Sequence, residues 1–367
     1  MNQEAKIYSY NSLDKVTRRI RDDLNSQDLV LLFAYNGTGK TSLSMTFKDQ
    51  GKKKVDRDTL YFNAFTEDLF YWDNDLESDT DRGLHFNQNS VFFDGFERLE
   101  LETRVFSFLE RYADFNFKIN YKNYKITFYK GEEENIKISR GEENIFIWSV
   151  FLSICELVIE GNDSYSWVKY IYIDDPISSL DDNNAIAVAC DLAGLIKEGL
   201  ENSEPLKIII SSHHSLFFNI LYNEFKNNKK VKKSVYFYHR ATKSEIYTLR
   251  STDESPFFNH IALLSQLKEA VEKRELYTYH FNILRSILEK TATFFGYKDF
   301  SQCIHNLDDE TLYARALNLM SHGKHSIYEP REMVEDTKEL FIRIFEGFRK
   351  HYDFKLPELT KKAEVND

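Results

Sequence analysis

The sequence predicts an α/β fold followed by a smaller, mainly helical region, and three observations support this prediction. The first is a set of short, unbroken apolar runs, which are typical of strands buried on both faces of a sheet. The second is the helical pattern between these runs, an alternation that favours a partly parallel sheet. The third is a change of pattern near residue 250, after which helical periodicity dominates.

Three apolar runs predict the central strands. They occupy residues 29–34, 170–173 and 207–210, and segments 143–159 and 185–195 predict helices around them. The first run ends in a glycine-rich turn, whereas the other two end in polar or acidic residues. Carboxyl ends of parallel strands share one edge of a sheet, so these turns are the first place to look for a site.

The chain is long enough for two domains. It has 367 residues, and a single hydrophobic core stops growing near roughly 250–300 residues. Residues 235–248 alternate between apolar and polar, like an edge strand or a hairpin, and no strand-like run follows residue 261. We therefore predict an α/β domain over residues 1–255 and a helical domain over residues 256–367.

The composition limits the classes of protein that this chain can belong to. A net charge of −11 argues against a protein that coats nucleic acid through a general basic surface, but it allows a local basic site. No apolar run approaches the ~20 residues of a membrane span, and the N-terminus lacks a signal-peptide pattern. The three cysteines are far apart, as expected in a reducing compartment. We expect a cytoplasmic protein that has no membrane partner.

A phosphate-binding loop is predicted directly after the first strand, in the segment Ala34-Tyr35-Asn36-Gly37-Thr38-Gly39-Lys40-Thr41. In such a loop backbone N–H groups cradle phosphates at a helix N-terminus, the lysine reaches the terminal phosphates and the threonine binds Mg²⁺. The alternative is an ordinary glycine-rich turn. We expect ATP or GTP with Mg²⁺ to bind here, and the candidate residues are Asn36, Gly37, Thr38, Gly39, Lys40, Thr41 and Ser42.

Acidic residues and histidines follow the next two predicted strands. Asp174 and Asp175 end the second strand, and His213 and His214 follow the third. Asp174 is a candidate Mg²⁺ ligand together with Thr41, and Asp175 is a candidate to orient the attacking water. His213 is a candidate to contact the γ-phosphate, with His214 as its competitor. The alternatives are a charged strand end and a capping histidine.

Two further turns complete an ordered set of motifs. Ser139, Gly141 and Glu142 stand before a long helix and are candidates for a second phosphate-binding turn. A Ser-Ser-Leu-Asp turn after the carboxylates adds Asp181 as a nucleotide-binding candidate. This order of motifs resembles that of the ABC-type ATPases. The resemblance implies a P-loop ATPase head domain that forms head-to-tail dimers with nucleotide between the subunits.

The helical region carries a second candidate site. Arg285 and Glu289 are four residues apart on a predicted helix, within pairing distance on one face, and His322 lies further along the chain. The alternative is a surface salt bridge of ~0.3–0.5 kcal/mol. An arginine, a carboxylate and a histidine in one pocket suit RNA cleavage without a metal, because they supply a base, an acid and a positive charge for the phosphorus.

Four longer segments make the chain similar to the PrrC-type anticodon nucleases, which couple an ABC-type ATPase domain to a tRNA-cutting domain. The segments are residues 61–75, 144–151, 174–183 and 279–297. The resemblance implies that Arg285, Glu289 and His322 are the catalytic residues. It also implies cleavage of the tRNA anticodon loop, typically of tRNA-Lys, on the 5′ side of the wobble base, leaving a 2′,3′-cyclic phosphate and a 5′-hydroxyl.

The same resemblance implies how the protein is regulated. Members of the family are antiviral toxins that a type I restriction–modification complex keeps silent until phage interference releases them. ATP, GTP or thymidine triphosphate at the ATPase heads controls activation, and Mg²⁺ belongs to the nucleotide site alone. Residues 250–258, where the family's recognition peptide lies, are more acidic here, so the sequence does not predict which tRNA is cut.

A second hypothesis belongs to another class of protein. The chain could be an ATPase sensor or scaffold of a defence or DNA-repair complex, with the nuclease on a separate partner. Under this hypothesis Arg285, Glu289 and His322 are structural, and the acidic composition fits a docking protein. Cleavage of tRNA by the activated chain alone would distinguish the two hypotheses.

Overall fold

The computed structural model describes ten segments of the chain. These are residues 6–52, 57–63, 70–74, 82–87, 101–177, 182–201, 206–240, 246–252, 259–304 and 332–352. The described residues fall into two compact units, and the division between them lies between Glu254 and Ser255. Because His322 and Asp181 lie outside the described residues, the structure does not address these two candidates.

The first unit contains a seven-stranded sheet with strand order β1-β11-β10-β2-β9-β8-β3. Strands β2, β3, β8, β9 and β10 run parallel, and β11 and β1 add an antiparallel edge. The predicted strands are therefore confirmed, and the predicted hairpin is the pair of β10 and β11. The strands are β1 (Ile7–Tyr10), β2 (Leu29–Phe33), β3 (Thr59–Asn63), β8 (Tyr170–Asp174), β9 (Lys207–Ser212), β10 (Lys233–Arg240) and β11 (Tyr247–Ser251).

A second, four-stranded sheet is antiparallel throughout and has the order β4-β5-β7-β6. Its strands are β4 (Phe70–Asn74), β5 (Arg82–Phe86), β6 (Asn116–Asn120) and β7 (Lys125–Tyr129). The sequence pattern does not predict this sheet. In β6 and β7, buried Phe117, Ile126 and Phe128 alternate with polar, charged or aromatic residues that are at least partly exposed, so that one face packs inside.

Six helices of the first unit are described: α1 (Leu13–Asp23), α2 (Lys40–Lys52), α3 (Leu101–Leu109), α4 (Arg140–Ile159), α5 (Asp182–Glu201) and α6 (Ser215–Lys226). Helix α4 is buried nearly all round, from Ile145 to Val158, which explains its continuous apolar sequence. Its Trp148 packs edge-on against Phe62 of β3, with ring centroids 5.2 Å apart.

A buried ion pair holds α1 and α2 to the start of β3. The guanidinium of Arg21 donates to Asp58 at 2.8 Å and to the carbonyl of Phe47 at 2.6 Å. A Cβ on Gly51 would lie only 1.9 Å from an oxygen of Asp58, so glycine is required there by space. The pair therefore fixes the helix that follows the glycine-rich loop against the sheet.

The described part of the second unit is helical. It contains α7 (Asn259–Glu272), α8 (Tyr279–Phe295) and α9 (Glu335–Tyr352). Buried residues of α8 and α9 form its core, which includes Phe281, Leu284, Leu288, Phe341 and Phe345. Helix α8 ends at Gly296, whose φ of 72° is the left-handed conformation that glycine adopts without strain. Among the described helices of both units, none is long and apolar enough to cross a membrane.

Candidate active site

The glycine-rich loop joins the buried end of β2 to the start of α2. Gly37 and Gly39 have φ angles of 80° and 89°, a conformation that few other residues adopt without strain. A Cβ on Gly37 would meet no atom within 4 Å, so the need for glycine at this position is conformational. The backbone therefore forms the open turn at a helix N-terminus that binds phosphate groups.

Lys40 begins α2 and turns back towards the loop. Its ammonium lies 3.4 Å from the carbonyl of Tyr35 and 3.3 Å from the amide oxygen of Asn36. It also lies 3.5 Å from a carboxylate oxygen of Asp175, and only 7% of its side chain is exposed. The positive charge is therefore positioned at the loop before any ligand is present.

Asp175 is the best-connected acid of the site. Its carboxylate accepts hydrogen bonds from the hydroxyl of Ser212 at 3.1 Å and from the backbone N–H of His213 at 3.2 Å, and it also contacts the His213 ring. Burial alone would raise the pKa of Asp175, but the His213 bonds and the Lys40 charge outweigh burial and lower it. Its φ of 54° is uncommon for a non-glycine residue, which is typical of functional turns.

Asp174 lies deeper, at the end of β8. It accepts hydrogen bonds from the hydroxyls of Ser211 at 2.6 Å and Ser44 at 3.1 Å. Burial raises the pKa of the Asp174 carboxyl despite these two bonds. The hydroxyl of Tyr61 lies 3.0 Å from that of Ser44, and burial followed by the charge of Asp174 raises the pKa of Tyr61 to about 12. The acid thus lies in a hydroxyl-lined pocket.

The structure changes the expected environment of Thr41. The hydroxyl that contacts Asp174 belongs to Ser44, one turn later on α2, while the carbonyl of Thr41 accepts from that same hydroxyl at 2.9 Å. Thr41 and Ser42 are both exposed at the start of the helix. Ser44 is not among the residues predicted from the motifs, although its spacing of four residues from Lys40 places both on one helical face.

His213 and His214, the two candidates for contact with the γ-phosphate, have different environments. The ring of His213 contacts Asp175, whereas the ring nitrogen of His214 accepts from the backbone N–H of Phe217 at 3.4 Å and caps α6. His213 is therefore the histidine whose ring contacts Asp175, the acid that also pairs with Lys40.

These residues fit a nucleoside triphosphate with Mg²⁺. The loop offers backbone N–H groups and a buried lysine, and Asp174 offers a carboxylate of the kind that Mg²⁺ prefers. No cluster of three or more histidine, cysteine or acidic side chains that could hold a metal occurs among the described residues. A nucleotide-bound Mg²⁺ does not need one, since phosphates and water supply most of its ligands.

The second predicted turn begins α4. Ser139 caps this helix, accepting from the backbone N–H of Glu142 at 3.3 Å, while Glu142 accepts from the backbone N–H of Ser139 at 2.7 Å. This reciprocal capping box uses both candidate side chains within the helix end. Gly141 lies in the first turn, and the turn borders a cleft of about 620 Å³ that Arg111 and Asn184 also line.

The second unit brings two of its three candidate residues together. Arg285 donates through Nε to Glu289 at 2.7 Å on α8, as the four-residue spacing predicts. The guanidinium also lies 5.5 Å from the ring centre of Phe300, and half of the Glu289 side chain is exposed. The pair thus lies on the flank of α8, beside the face that carries Leu284 and Leu288 into the core, and 20% of the Arg285 side chain is exposed.

The fold and the first site define the class of this protein. A phosphate loop after a buried strand, adjacent carboxylates after a neighbouring strand and a histidine after the strand between them are the features of P-loop ATPase heads of the ABC type. The family model described as an AAA domain matches residues 100–350, in agreement with this class.

The sequence is also 34% identical, over 351 residues, to the anticodon nuclease of Escherichia coli; the alignment covers 85% of this chain and 87% of that protein. The chain therefore belongs to the PrrC-type anticodon nuclease family.

Two solved structures of SMC head domains align with this chain only weakly. One is the SmcHead bound to the C-winged helix domain of ScpA, with 10% identity, a TM-score of 0.32, and coverage of 62% of this chain and 91% of that one. The other is the SMC head domain from Thermotoga maritima, with 12% identity, a TM-score of 0.29, and coverage of 60% and 89%. Similarity this low supports no inference about this chain.

Proposed function

We propose that this protein is a nucleotide-gated endoribonuclease that cuts the anticodon loop of a tRNA. The observation that carries the proposal is the hydrogen bond between Arg285 and Glu289, 2.7 Å long, on α8. Family membership supports RNA as the substrate, since the Escherichia coli relative is named an anticodon nuclease. The catalytic set is Arg285, Glu289 and His322, of which His322 lies outside the described residues.

The cleavage step uses the 2′-hydroxyl of the RNA itself. A base takes its proton, the 2′-oxygen bonds to the adjacent phosphorus, and the bond from phosphorus to the 5′-oxygen breaks as an acid protonates that oxygen. Glu289 and His322 are candidates for base and acid, and the Arg285 guanidinium neutralises the charge that develops on the phosphoryl oxygens. The products are a 2′,3′-cyclic phosphate and a 5′-hydroxyl, 5′ of the wobble base.

The nucleotide site is the proposed control element. Gly37, Gly39 and Lys40 hold the phosphates of ATP or GTP, and Asp174 holds Mg²⁺, which supplies charge neutralisation at the phosphates. Thymidine triphosphate is a further candidate ligand. Asp175, held by His213, orients the attacking water.

Assembly and silencing are also part of the proposal. The turn at Ser139 closes over the nucleotide of a second subunit in a head-to-tail dimer. Resemblance to the family supports silencing by a type I restriction–modification complex in the cytoplasm.

A cleavage assay with the purified full chain tests the proposed activity. Bulk tRNA is incubated with the protein and ATP, GTP or thymidine triphosphate, and the fragments are separated on a denaturing gel. We expect two fragments that meet in the anticodon loop, and we expect Arg285→Ala to produce none while nucleotide hydrolysis continues. Lys268→Ala is the matched control, because Lys268 pairs with Glu272 at the same four-residue spacing on α7.

Two outcomes would contradict the proposal. If Arg285→Ala cuts tRNA as well as the wild-type chain does, the assigned site is wrong. If the wild-type chain cuts no RNA with any of these nucleotides, but does so after a second protein is added, the chain is the sensor or scaffold of the alternative hypothesis.

A further inference from the structure

The C-terminal end of α8 exposes a group of aromatic side chains. Phe294 is 84% exposed, Phe295 is 49% exposed, and Tyr297, just after the helix, is 38% exposed. Large aromatic residues are normally buried, and an exposed cluster of them marks a surface that binds something. We call Phe294, Phe295, Tyr297 and Tyr352 the aromatic platform.

The rings of the platform hold one another in place. Phe295 stacks on Tyr297, with ring centroids 5.8 Å apart and planes 22° apart, and it packs on Tyr352 of α9 at 5.3 Å. Burial, together with the neighbouring Cys303 and Tyr297, raises the pKa of the Tyr352 hydroxyl. The left-handed turn at Gly296 brings Tyr297 back beside Phe295. The platform is therefore organised before it binds a ligand, which lowers the entropic cost of binding.

Two exposed lysines lie next to the platform in the sequence. Lys290 lies one turn before Phe294 on α8, and Lys298 follows Tyr297. Two acids lie nearby in the sequence: Asp299 accepts from the backbone N–H of Ser301 at 2.7 Å, and Glu346 lies 3.3 Å from Arg349. In a chain of net charge −11, lysines beside exposed rings favour a negatively charged ligand with flat, apolar faces.

The platform shares a helix with the proposed cleavage pair. Five residues separate Glu289 from Phe294, which is about 7.5 Å along the helix axis and about 140° around it. An RNA loop that contacts both sites would therefore pass around α8 from the pair to the platform. We propose that the aromatic platform is a base-stacking subsite that holds an unpaired base of the RNA loop while the phosphate to be cut lies at Arg285 and Glu289. The inference rests on the proposed function.

The face of Phe294 is the stacking surface open to solvent. Unpaired bases of RNA loops stack on aromatic side chains, and this contact tolerates any base because every base has a π face. The lysines provide contacts to the phosphates on either side. A subsite of this kind selects loops over duplexes without reading sequence, which suits a chain whose residues 250–258 are more acidic than the family's recognition peptide and do not interleave basic and aromatic residues.

A binding experiment with fluorescent RNA tests the subsite. The full chain carries Glu289→Gln to prevent cutting, and the probe is an RNA stem-loop with 2-aminopurine in its loop, whose fluorescence falls when the base stacks. We expect Phe294→Ala to weaken binding about 10-fold and to abolish the quenching, since one stacked base contributes on the order of that factor. Phe294→Trp should restore both. Because Phe294 is 84% exposed, its removal should not affect folding.

The controls separate base stacking from nonspecific binding. Phe106 is 44% exposed on α3 of the first unit, and Phe106→Ala should leave binding and quenching unchanged. A blunt RNA duplex without a loop should bind both proteins equally, because its bases are not free to stack.

Each other outcome overturns the inference. If the wild-type chain cuts tRNA but Phe294→Ala binds the probe normally, the subsite is wrong and the proposed function stands. If Phe294→Ala changes only the oligomeric state of the protein in solution, the platform is a contact between copies of the chain. If the wild-type chain neither binds nor cuts RNA, the subsite and the proposed function fail together.

Discussion

The ammonium of Lys40 lies 3.5 Å from a carboxylate oxygen of Asp175. The residue proposed to hold phosphates is thus paired with the residue proposed to orient water. Phosphate oxygens carry a larger negative charge than one carboxylate, so a nucleotide can draw Lys40 away from Asp175 and leave that acid bound to His213. We therefore expect nucleotide binding to change the environment of Asp175 through this one lysine.

The first prediction follows from this pairing. Asp175→Asn removes the charge that competes for Lys40, so we expect nucleotides to bind several-fold more tightly. Hydrolysis should fall on the order of 100-fold, because the acid that orients the water is lost. Calorimetric titration and phosphate release measure the two effects. Ser212→Ala is the control, since it removes one hydrogen bond to Asp175 but no charge. Weaker nucleotide binding by Asp175→Asn would contradict the idea that Asp175 competes with the phosphates for Lys40.

A second prediction concerns the buried acid Asp174. Burial raises the pKa of its carboxyl above the ordinary value of 3.8, so the folded protein binds this proton more tightly than the unfolded chain does. The free energy of unfolding should therefore decrease as pH rises through that raised pKa. Asp174→Asn remains neutral and keeps polar atoms for Ser44 and Ser211, so we expect it to be more stable at pH 7, by about 1 kcal/mol.

Urea unfolding at pH 7 measures the effect of Asp174→Asn, and nucleotide hydrolysis by the same variant should be lost. A variant less stable than the wild-type chain would show that the two serines compensate the buried charge fully.

A third prediction concerns the helical unit. Glu289→Gln should abolish RNA cleavage yet change the free energy of unfolding by no more than ~0.5 kcal/mol, because an exposed pair at this spacing contributes little to stability. Cleavage assays and urea unfolding give the two numbers. Glu272→Gln, which breaks the exposed pair with Lys268, should have an equally small effect on stability and none on cleavage. If Glu289→Gln fails to fold, the Arg285–Glu289 pair has a structural role.

His280 provides a fourth prediction, on pH. Its ring nitrogen accepts from the backbone N–H of Tyr277 at 3.1 Å, and burial lowers the pKa of His280 from 6.5 to about 4. Between these values the unfolded chain binds the proton more readily, so stability is full above pH 6.5 and decreases towards pH 4. The difference between these two pKa values corresponds to about 3 kcal/mol in the free energy of unfolding.

His280→Asn keeps a hydrogen-bond acceptor but does not titrate. Unfolding by urea at pH 7 and at pH 5 should therefore show a smaller loss of stability in the variant than in the wild-type chain. Equal losses in the two proteins would mean that other groups set the pH dependence.

Tyr238 leads to the fifth prediction. Its hydroxyl is buried, has no hydrogen-bond partner among the described residues, and lies 3.8 Å from where a Cβ of Gly39 would be. Tyr238→Phe should therefore raise the free energy of unfolding by about 1 kcal/mol. Tyr236→Phe is the matched control and should lower it, because the Tyr236 hydroxyl donates to Asp23 at 2.8 Å. A loss of stability in both variants would mean that the Tyr238 hydroxyl is bonded.

The central strands and the acids at their ends could be predicted from the sequence, because a strand buried on both faces requires an unbroken apolar run. The four-stranded sheet could not, since strands such as β6 mix Phe117 with Lys118 and resemble surface loops. Ser44 and Ser211 carry no motif, and only the folded register places both beside Asp174. The spacing of Ser139 and Glu142 indicates a capping box as directly as a phosphate-binding turn.

The most direct test of the account is to map the ends of cellular tRNA after expression of the full chain in bacteria. We predict new ends in the anticodon loop, 5′ of the wobble base, that carry a 2′,3′-cyclic phosphate and a 5′-hydroxyl and are absent with Lys40→Ala or Arg285→Ala. Intact tRNA in growth-arrested cells, or cut ends that bear a 3′-hydroxyl, would contradict the account.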